Sequence, residues 1–250
     1  MADISSDQIV AVILAGGFGT RIKHLLLDLP KPMAPIAGRP CLEWLVRYLA
    51  KQGVRRVVLS TGYLAEVVQR HFDRQPVRGV TVHCVAEPEP LGTGGAVRHA
   101  ARESGEQAAA WLVMNGDTIA FAELDKAQAA LQNAGTAGVI YAREVPDASR
   151  YGSLVTDKAG NLMRFEEKRP GKGLISTGVY LLRDSLLAKF PERAPLSLER
   201  EIFPELTSSG VSLKILRMTA PFLDIGTPES LPEAGSFVKS NLGWFELDAL

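Results

Sequence analysis

Three groups of residues in this 250-residue chain have types and spacings suited to chemistry on phosphates. The first is Gly16-Gly17-Phe18-Gly19-Thr20-Arg21, directly after the apolar run Ile9 to Leu14. Glycines let a backbone turn sharply and bring its N–H groups close to a ligand. A concave row of N–H groups is an anion site, and the Arg21 guanidinium adds a fixed fork suited to phosphate. The second is Lys31, held between Pro30 and Pro32, whose φ angles are fixed by their rings. The third is a pair of aspartates, Asp117 in Asn115-Gly116-Asp117 and Asp224 in Asp224-Ile225-Gly226-Thr227-Pro228. Both follow apolar stretches and sit at glycine turns, and two such carboxylates suit a hard, oxygen-preferring cation such as Mg²⁺. Taken singly, each aspartate is equally an ordinary solvated turn residue, and a glycine-rich turn needs no ligand.

Better-known motifs are excluded by spacing. Dinucleotide binding requires G-x-G-x-x-G, but counting from Gly17 the third glycine position is Ile22, and no P-loop string occurs anywhere. Neither H-E-x-x-H nor G-x-S-x-G is present, and the histidines at 24, 71, 83 and 99 lack metal-ligand spacing. The 28 basic residues balance 28 acidic ones, which argues against nucleic acid or an anionic membrane as partner. Cys41 and Cys84 stand alone in apolar contexts and read as buried thiols of a reducing compartment. With no positively charged leader and no apolar run long enough to span a bilayer, the expectation is a cytoplasmic protein.

Elements that place these residues follow from periodicity. The Ile9–Leu14 run reads as a strand buried on both faces, so the glycine loop lies at the strand end where open α/β sheets bind ligands. Pro40 opens a helix whose stripe (Cys41, Trp44, Leu45, Tyr48, Leu49) ends at Gly53. Strands are expected at 54–60, 80–85, 111–115 and 137–143, alternating with helices at 64–72, 94–103 and 122–133. His71 belongs to the edge of the 64–72 stripe. Residues 151–182 read as short strands and turns, followed by helices at 197–206 and 228–240 around a strand at 211–216. The expected fold is therefore an α/β, Rossmann-like, mostly parallel sheet with helices on both faces and a small antiparallel lobe. A single domain over 1–240 carries it. The tail 241–250, with Trp244 and Phe245, is left to cover an edge or a homo-oligomer interface.

The string LAGGFGTRI with PKPM downstream resembles the signature of the sugar-1-phosphate nucleotidylyltransferases, and later motifs match in order to about residue 230. The resemblance implies that Leu14, Ala15, Gly16, Gly17, Gly19 and Thr20 hold a nucleoside triphosphate. It gives Arg21 the outer phosphates and Lys31 the α-phosphate. It also makes Asp117 and Asp224 the Mg²⁺ ligands and places Gly92, Thr93 and Gly116 about the nucleotide. Phe165-Glu166-Glu167-Lys168 resembles the family's Phe-x-Glu-Lys-Pro, with Glu167 on sugar hydroxyls and Lys168 on the sugar phosphate, although Arg169 stands where proline is usual. Tyr151-Gly152 matches the turn whose glycine meets the sugar. Ser176 stands where the family commonly has asparagine.

Glu87 bears on the base. Pyrimidine-specific members commonly carry glutamine there, whose amide matches the donor and acceptor of an imide. Guanine presents adjacent donors, which a carboxylate accepts, so Glu87 favours GTP unless it merely ends the strand in solvent. In Pro32-Met33-Ala34-Pro35-Ile36-Ala37-Gly38-Arg39-Pro40, Glu89-Pro90-Leu91-Gly92-Thr93-Gly94-Gly95-Ala96, Asn115-Gly116-Asp117-Thr118 and Ser197-Leu198-Glu199 the chain resembles the short bacterial D-glycero-D-manno-heptose 1-phosphate guanylyltransferases of that family. Mannose-1-phosphate guanylyltransferases and uridylyl or thymidylyl enzymes are the alternatives. Implied partners are GTP and a sugar 1-phosphate, with the product feeding surface polysaccharide synthesis. A non-catalytic nucleotide-binding subunit is the rival of another class; such relatives lose the charged residues that this chain keeps.

Overall fold

The computed structural model describes residues 4–17, 26, 29–166 and 170–247. Gly19, Thr20, Arg21, Glu167 and Lys168 lie outside these residues. The first strand, β1 (Ile9–Ala15), has apolar side chains at every position. Ile9, Ala11, Ile13 and Ala15 point into one core, and Val10 and Val12 into a second on the opposite face. This is the pattern expected of a strand covered on both sides.

β1 pairs in parallel with β4 (Arg56–Thr61) on one edge and β6 (Ala110–Asn115) on the other, and β5 (Thr81–Ala86) extends the β4 side. Crossovers run through α1 (Cys41–Lys51), α2 (Ala65–Arg74) and α3 (Gly92–Glu103). The chain thus leaves β1 toward β4 and β5 and returns to β6 on the other side. The crevice between β1 and β6 is the point where strand order reverses, the usual ligand position in an open α/β sheet.

Beyond β6 the same sheet becomes antiparallel. β11 (Gly173–Arg183) runs against β6 and also against β8 (Thr136–Val145), which pairs in parallel with β12 (Ser212–Arg217). β9 (Ser153–Thr156) and β10 (Leu162–Glu166) form a hairpin joined to β11 at Ile175. The expected antiparallel lobe is therefore hydrogen-bonded into the main sheet, and β11 is longer than the short strands read from sequence. Among the described residues two ribbons complete the set: β2 (Pro35–Ile36) with β3 (Arg39–Pro40), and β7 (Thr118–Ala120) with β13 (Phe222–Asp224).

Helical expectations differ in detail. The helix expected at 122–133 is α4 (Leu124–Leu131), and α5 (Asp184–Leu187) is a single turn. The helix expected at 197–206 is a π turn, Leu198–Ile202, leading into α6 (Phe203–Ser208). Pro204, which has no N–H to donate to the preceding turn, stands near the junction of the π turn and α6. The closing helix is only α7 (Ala234–Ser240), with turns before it. Phe245 is buried against Trp44, and Trp244 stacks on Phe121 at 4.9 Å. The last described residues therefore pack on their own chain. Cys41 is buried, but Cys84 is only half-buried because β5 is the edge strand.

Candidate active site

The register of β1 against β6 sets Leu14 beside Asn115, so Gly16-Gly17 and Gly116-Asp117 leave the sheet side by side. A cavity of about 330 Å³ opens there. Leu14, Gly16, Gly17, Lys31, Glu87, Gly92, Thr93 and Asp117 are among the residues that line it. A second cavity of about 360 Å³ shares Asn115 and Asp117 with the first and adds Arg150, Ser176, Glu199 and Asp224. The two form adjoining halves of one cleft with Asp117 at their junction. A roomier groove of about 490 Å³ lies between the β2–β3 ribbon and α2, but its wall is largely apolar and holds no carboxylate among the described residues. Size alone does not pick out the site.

Lys31 begins a short turn, Lys31–Met33, whose last carbonyl bond is closed by Ala34 N–H on Lys31 O at 3.0 Å. Its side chain is only 9% exposed, and Nζ donates to Asp117 Oδ2. Asp224 reaches the same place through the β7–β13 ribbon: it faces Thr118 in register, and Ile225 N–H donates to Asp117 O at 3.0 Å. A Cβ on Gly226 would lie 2.5 Å from Asp224 Oδ1 and 3.0 Å from Lys31 Nζ. Only glycine leaves that space open. Residues 31, 117 and 224, far apart in sequence, thus meet at one point.

Glu87 follows β5, and its carboxylate accepts from Ser60 Oγ at 3.1 Å and from Leu91 N–H at 3.2 Å. A Cβ on Gly16 would overlap that carboxylate. Thr93 Oγ1 accepts Leu198 N–H at 2.9 Å, tying the start of α3 to the π turn. Gly92 has φ +70° and sits against the Leu196 backbone, so a side chain there is excluded by both conformation and space.

Some expected residues carry structural duties, and not all of them line a cavity. Ala15 is buried within β1. Gly116 N–H donates to Leu14 O at 2.9 Å, which commits that donor to the backbone. Gly152 is not among the residues lining either cavity, although Tyr151 beside it lines the second. Ser176 Oγ accepts Gly178 N–H at 3.2 Å and lies 3.2 Å from Tyr180 Oη, which donates to Glu199 Oε1 at 2.7 Å. Burial first, and the Glu199 charge second, push the Tyr180 phenol well above its ordinary range and keep it a donor.

Arg150 carries little signal in the sequence beyond its neighbours Tyr151-Gly152, yet its Nη2 lies 3.7 Å from Asp224 Oδ2. Glu43 carries no sequence signal either. It is 1% exposed and accepts from Arg39, from Arg47 at 2.9 Å and from His71 at 3.0 Å. Burial alone would raise its carboxyl; the Arg47 and Arg39 hydrogen bonds outweigh burial and hold it below the ordinary carboxylate range. His71 is therefore a tie between α2 and α1 as well as a helix-stripe residue.

A family model described as "Nucleotidyl transferase" matches residues 10–241. The chain belongs to this family. A D-glycero-alpha-D-manno-heptose 1-phosphate guanylyltransferase of Campylobacter jejuni is 35% identical over 220 residues, covering 88% of this chain and 95% of that one. A mannose-1-phosphate guanylyltransferase of Mycobacterium tuberculosis is 32% identical, but this chain covers only 63% of it. Among solved structures, HddC from Yersinia pseudotuberculosis complexed with GMP-PN superposes with a TM-score of 0.79 at 36% identity, covering 91% of this chain and 98% of that one. The fold is thus the nucleotide-diphospho-sugar transferase type, and the β1–β6 crevice is the region of this nucleotidyl transferase that carries its glycine signature.

Proposed function

We propose that the chain transfers a guanylyl group from GTP to D-glycero-D-manno-heptose 1-phosphate, giving GDP-heptose and pyrophosphate. The convergence of Lys31, Asp117 and Asp224 where two adjoining cavities meet carries this reading. The near-full-length relatives named for heptose 1-phosphate support the sugar, and Glu87 over the glycine turn supports the base. A surface-polysaccharide role and a cytoplasmic setting follow from that product and the GTP supply. No described helix is long and apolar enough to cross a membrane.

A sugar phosphate oxygen attacks the α-phosphorus, a new P–O bond forms, and the bond to the pyrophosphate oxygen breaks on the opposite side. The attacking phosphate carries its second negative charge near neutral pH, with a pKa of about 6 as for a phosphoserine. It needs no general base; it needs alignment and charge neutralisation. In this reading Lys31 takes the α-phosphate, with Arg21 and Lys168 on the outer phosphates and the sugar phosphate. Glu167, Ser176 and the Gly152 turn face the sugar. Asp117 and Asp224 supply an all-oxygen donor pair beside the space that Gly226 leaves open, a set that fits Mg²⁺ completed by substrate phosphates and water. Such an ion would neutralise phosphate charge as a Lewis acid.

Pyrophosphate release should be measured with GTP, ATP, CTP, UTP and dTTP crossed with heptose, mannose and glucose 1-phosphates. Highest kcat/KM with GTP and the heptose supports the reading. Preference for mannose 1-phosphate would move the sugar assignment to the longer relatives, and no turnover with any pair would leave a nucleotide-binding subunit.

A further inference from the structure

We propose that Lys31 is the resting counter-cation of Asp117 and competes with the divalent ion for that carboxylate, so that metal and triphosphate can load only together. The inference rests on the metal reading above and concerns what this chain's own residues do before substrate arrives.

The geometry is specific. Lys31 is 9% exposed, and a buried ammonium without a partner is costly, so the side chain must find an acceptor. Within the cleft it finds Asp117, which is itself only 34% exposed. Pro30, Pro32 and the Ala34 N–H bond fix where its side chain starts, and its burial leaves it acceptors within the cleft in place of open solvent. Asp224 is arranged differently. Its Oδ1 accepts Gly226 N–H at 2.7 Å, and its charged neighbour, Arg150, stands 3.7 Å away and half-exposed. One carboxylate of the pair is therefore held by a buried cation and the other by a backbone donor and a solvated, weakly coupled guanidinium.

A dication placed between the two carboxylates would lie close to Lys31 Nζ, since Nζ and Asp224 Oδ1 both border the space at Gly226. It would lose one Asp117 oxygen to the ammonium and be repelled by the ammonium's charge. Both effects oppose metal binding to the empty protein. A triphosphate reverses them, because its α-phosphate offers Lys31 a better acceptor and releases Asp117. The same contact that keeps the ammonium satisfied at rest thus keeps the carboxylate from capturing a metal before nucleotide is present.

The test is Mn²⁺ binding to the nucleotide-free protein, read by electron paramagnetic resonance of free Mn²⁺. Lys31→Met keeps the shape of the side chain and removes its charge, while Lys31→Arg keeps the charge. The expected result is Mn²⁺ affinity at least about tenfold tighter in Lys31→Met than in wild type, and unchanged within about threefold in Lys31→Arg. Equal affinity in wild type and Lys31→Met, or no binding in either, would overturn the competition. Asp117→Asn in the Lys31→Met background separates the two ideas. If the double variant binds Mn²⁺ as tightly as Lys31→Met, Asp117 is not a ligand, so the metal reading fails and the competition with it. If the gain is lost, Asp117 is the contested group. Circular dichroism melting curves confirm that each variant is folded.

Discussion

Replacing Glu87 with glutamine isolates one side of the base argument with little collateral damage. Both carboxylate oxygens already accept protein donors, Ser60 Oγ at 3.1 Å and Leu91 N–H at 3.2 Å. The Leu91 N–H is fixed in direction, so the carbonyl oxygen of the new side-chain amide must stay on it. The amide nitrogen then turns toward Ser60, whose hydroxyl accepts as readily as it donates. The local network survives at a cost of about 1 kcal/mol or less, an ordinary hydrogen-bond exchange. What changes is the edge offered to the base, from two acceptors to one acceptor and one donor. Base-edge pairs of this kind discriminate by roughly 1–3 kcal/mol, which is about 5- to 150-fold in kcat/KM. Glu87→Gln should therefore lower kcat/KM for GTP by a factor in that range and raise the UTP/GTP and dTTP/GTP ratios at least as much. The readout is pyrophosphate release for the five triphosphates with one saturating sugar 1-phosphate, alongside a thermal melt. A GTP value within twofold of wild type with unchanged ratios would show that Glu87 serves only to join β5 to the start of α3.

Other expectations follow from single contacts. Lys31→Ala removes the cation assigned to the α-phosphate, and kcat should fall about 10²–10³-fold; near-wild-type pyrophosphate release would remove Lys31 from the chemistry. Glu43→Ala strands Arg39, Arg47 and His71 around a vanished carboxylate and should cost about 2–3 kcal/mol in urea unfolding, reduced from the fully buried case because both arginines reach solvent. Because the folded Glu43 carboxyl is held low, its contribution is complete above an unfolded value of about 4.3 and is lost as pH falls below it; a Glu43→Gln protein should show a shallower acid limb. Phe245→Ala should cost about 3–5 kcal/mol by emptying the space between Trp44 and Phe121; a melting point within a degree of wild type would mean that residues 242–245 lie loosely on the domain.

Where sequence was legible, a strong local signal coincided with a tertiary requirement. The unbroken apolar run of β1 announced burial on two faces, and the glycine turns at 16–17 and 116 announced the strand ends that border the cavity. Lys31, Asp117 and Asp224 were legible by type, but their meeting depends on the β7–β13 ribbon, whose two three-residue strands carry no periodicity to read. Glu43 was illegible for a similar reason. It sits within an apolar helix stripe like any solvated glutamate, and only the fold brings His71 from α2 and Arg39 from the β2–β3 ribbon onto it. Pro204 was a visible warning against a continuous helix at 197–206, but nothing local prescribes a π turn as the remedy.

The glycines of the first turn are constrained from the protein side as well as from the ligand side. Gly16 is excluded from bearing a side chain because the Glu87 carboxylate lies against it, and Gly62 because a Cβ would meet Gly16 O at 2.6 Å. Three segments, after β1, β4 and β5, therefore stack into one layer whose spacing is set by missing side chains. Moving the phosphate-facing turn moves the residue assigned to the base, and the reverse holds equally. A substitution at Gly16 cannot then be read as a phosphate effect alone: it should depress kcat/KM and also disturb base selection. Gly17, with no atom of the described residues within 4 Å of a would-be Cβ beyond its chain neighbours, lacks that contact with Glu87. Gly17→Ala should leave the ranking of the five triphosphates unchanged and alter only how tightly they bind. If Gly17→Ala reordered the bases, the layer would not be the unit through which the two halves of the nucleotide are positioned.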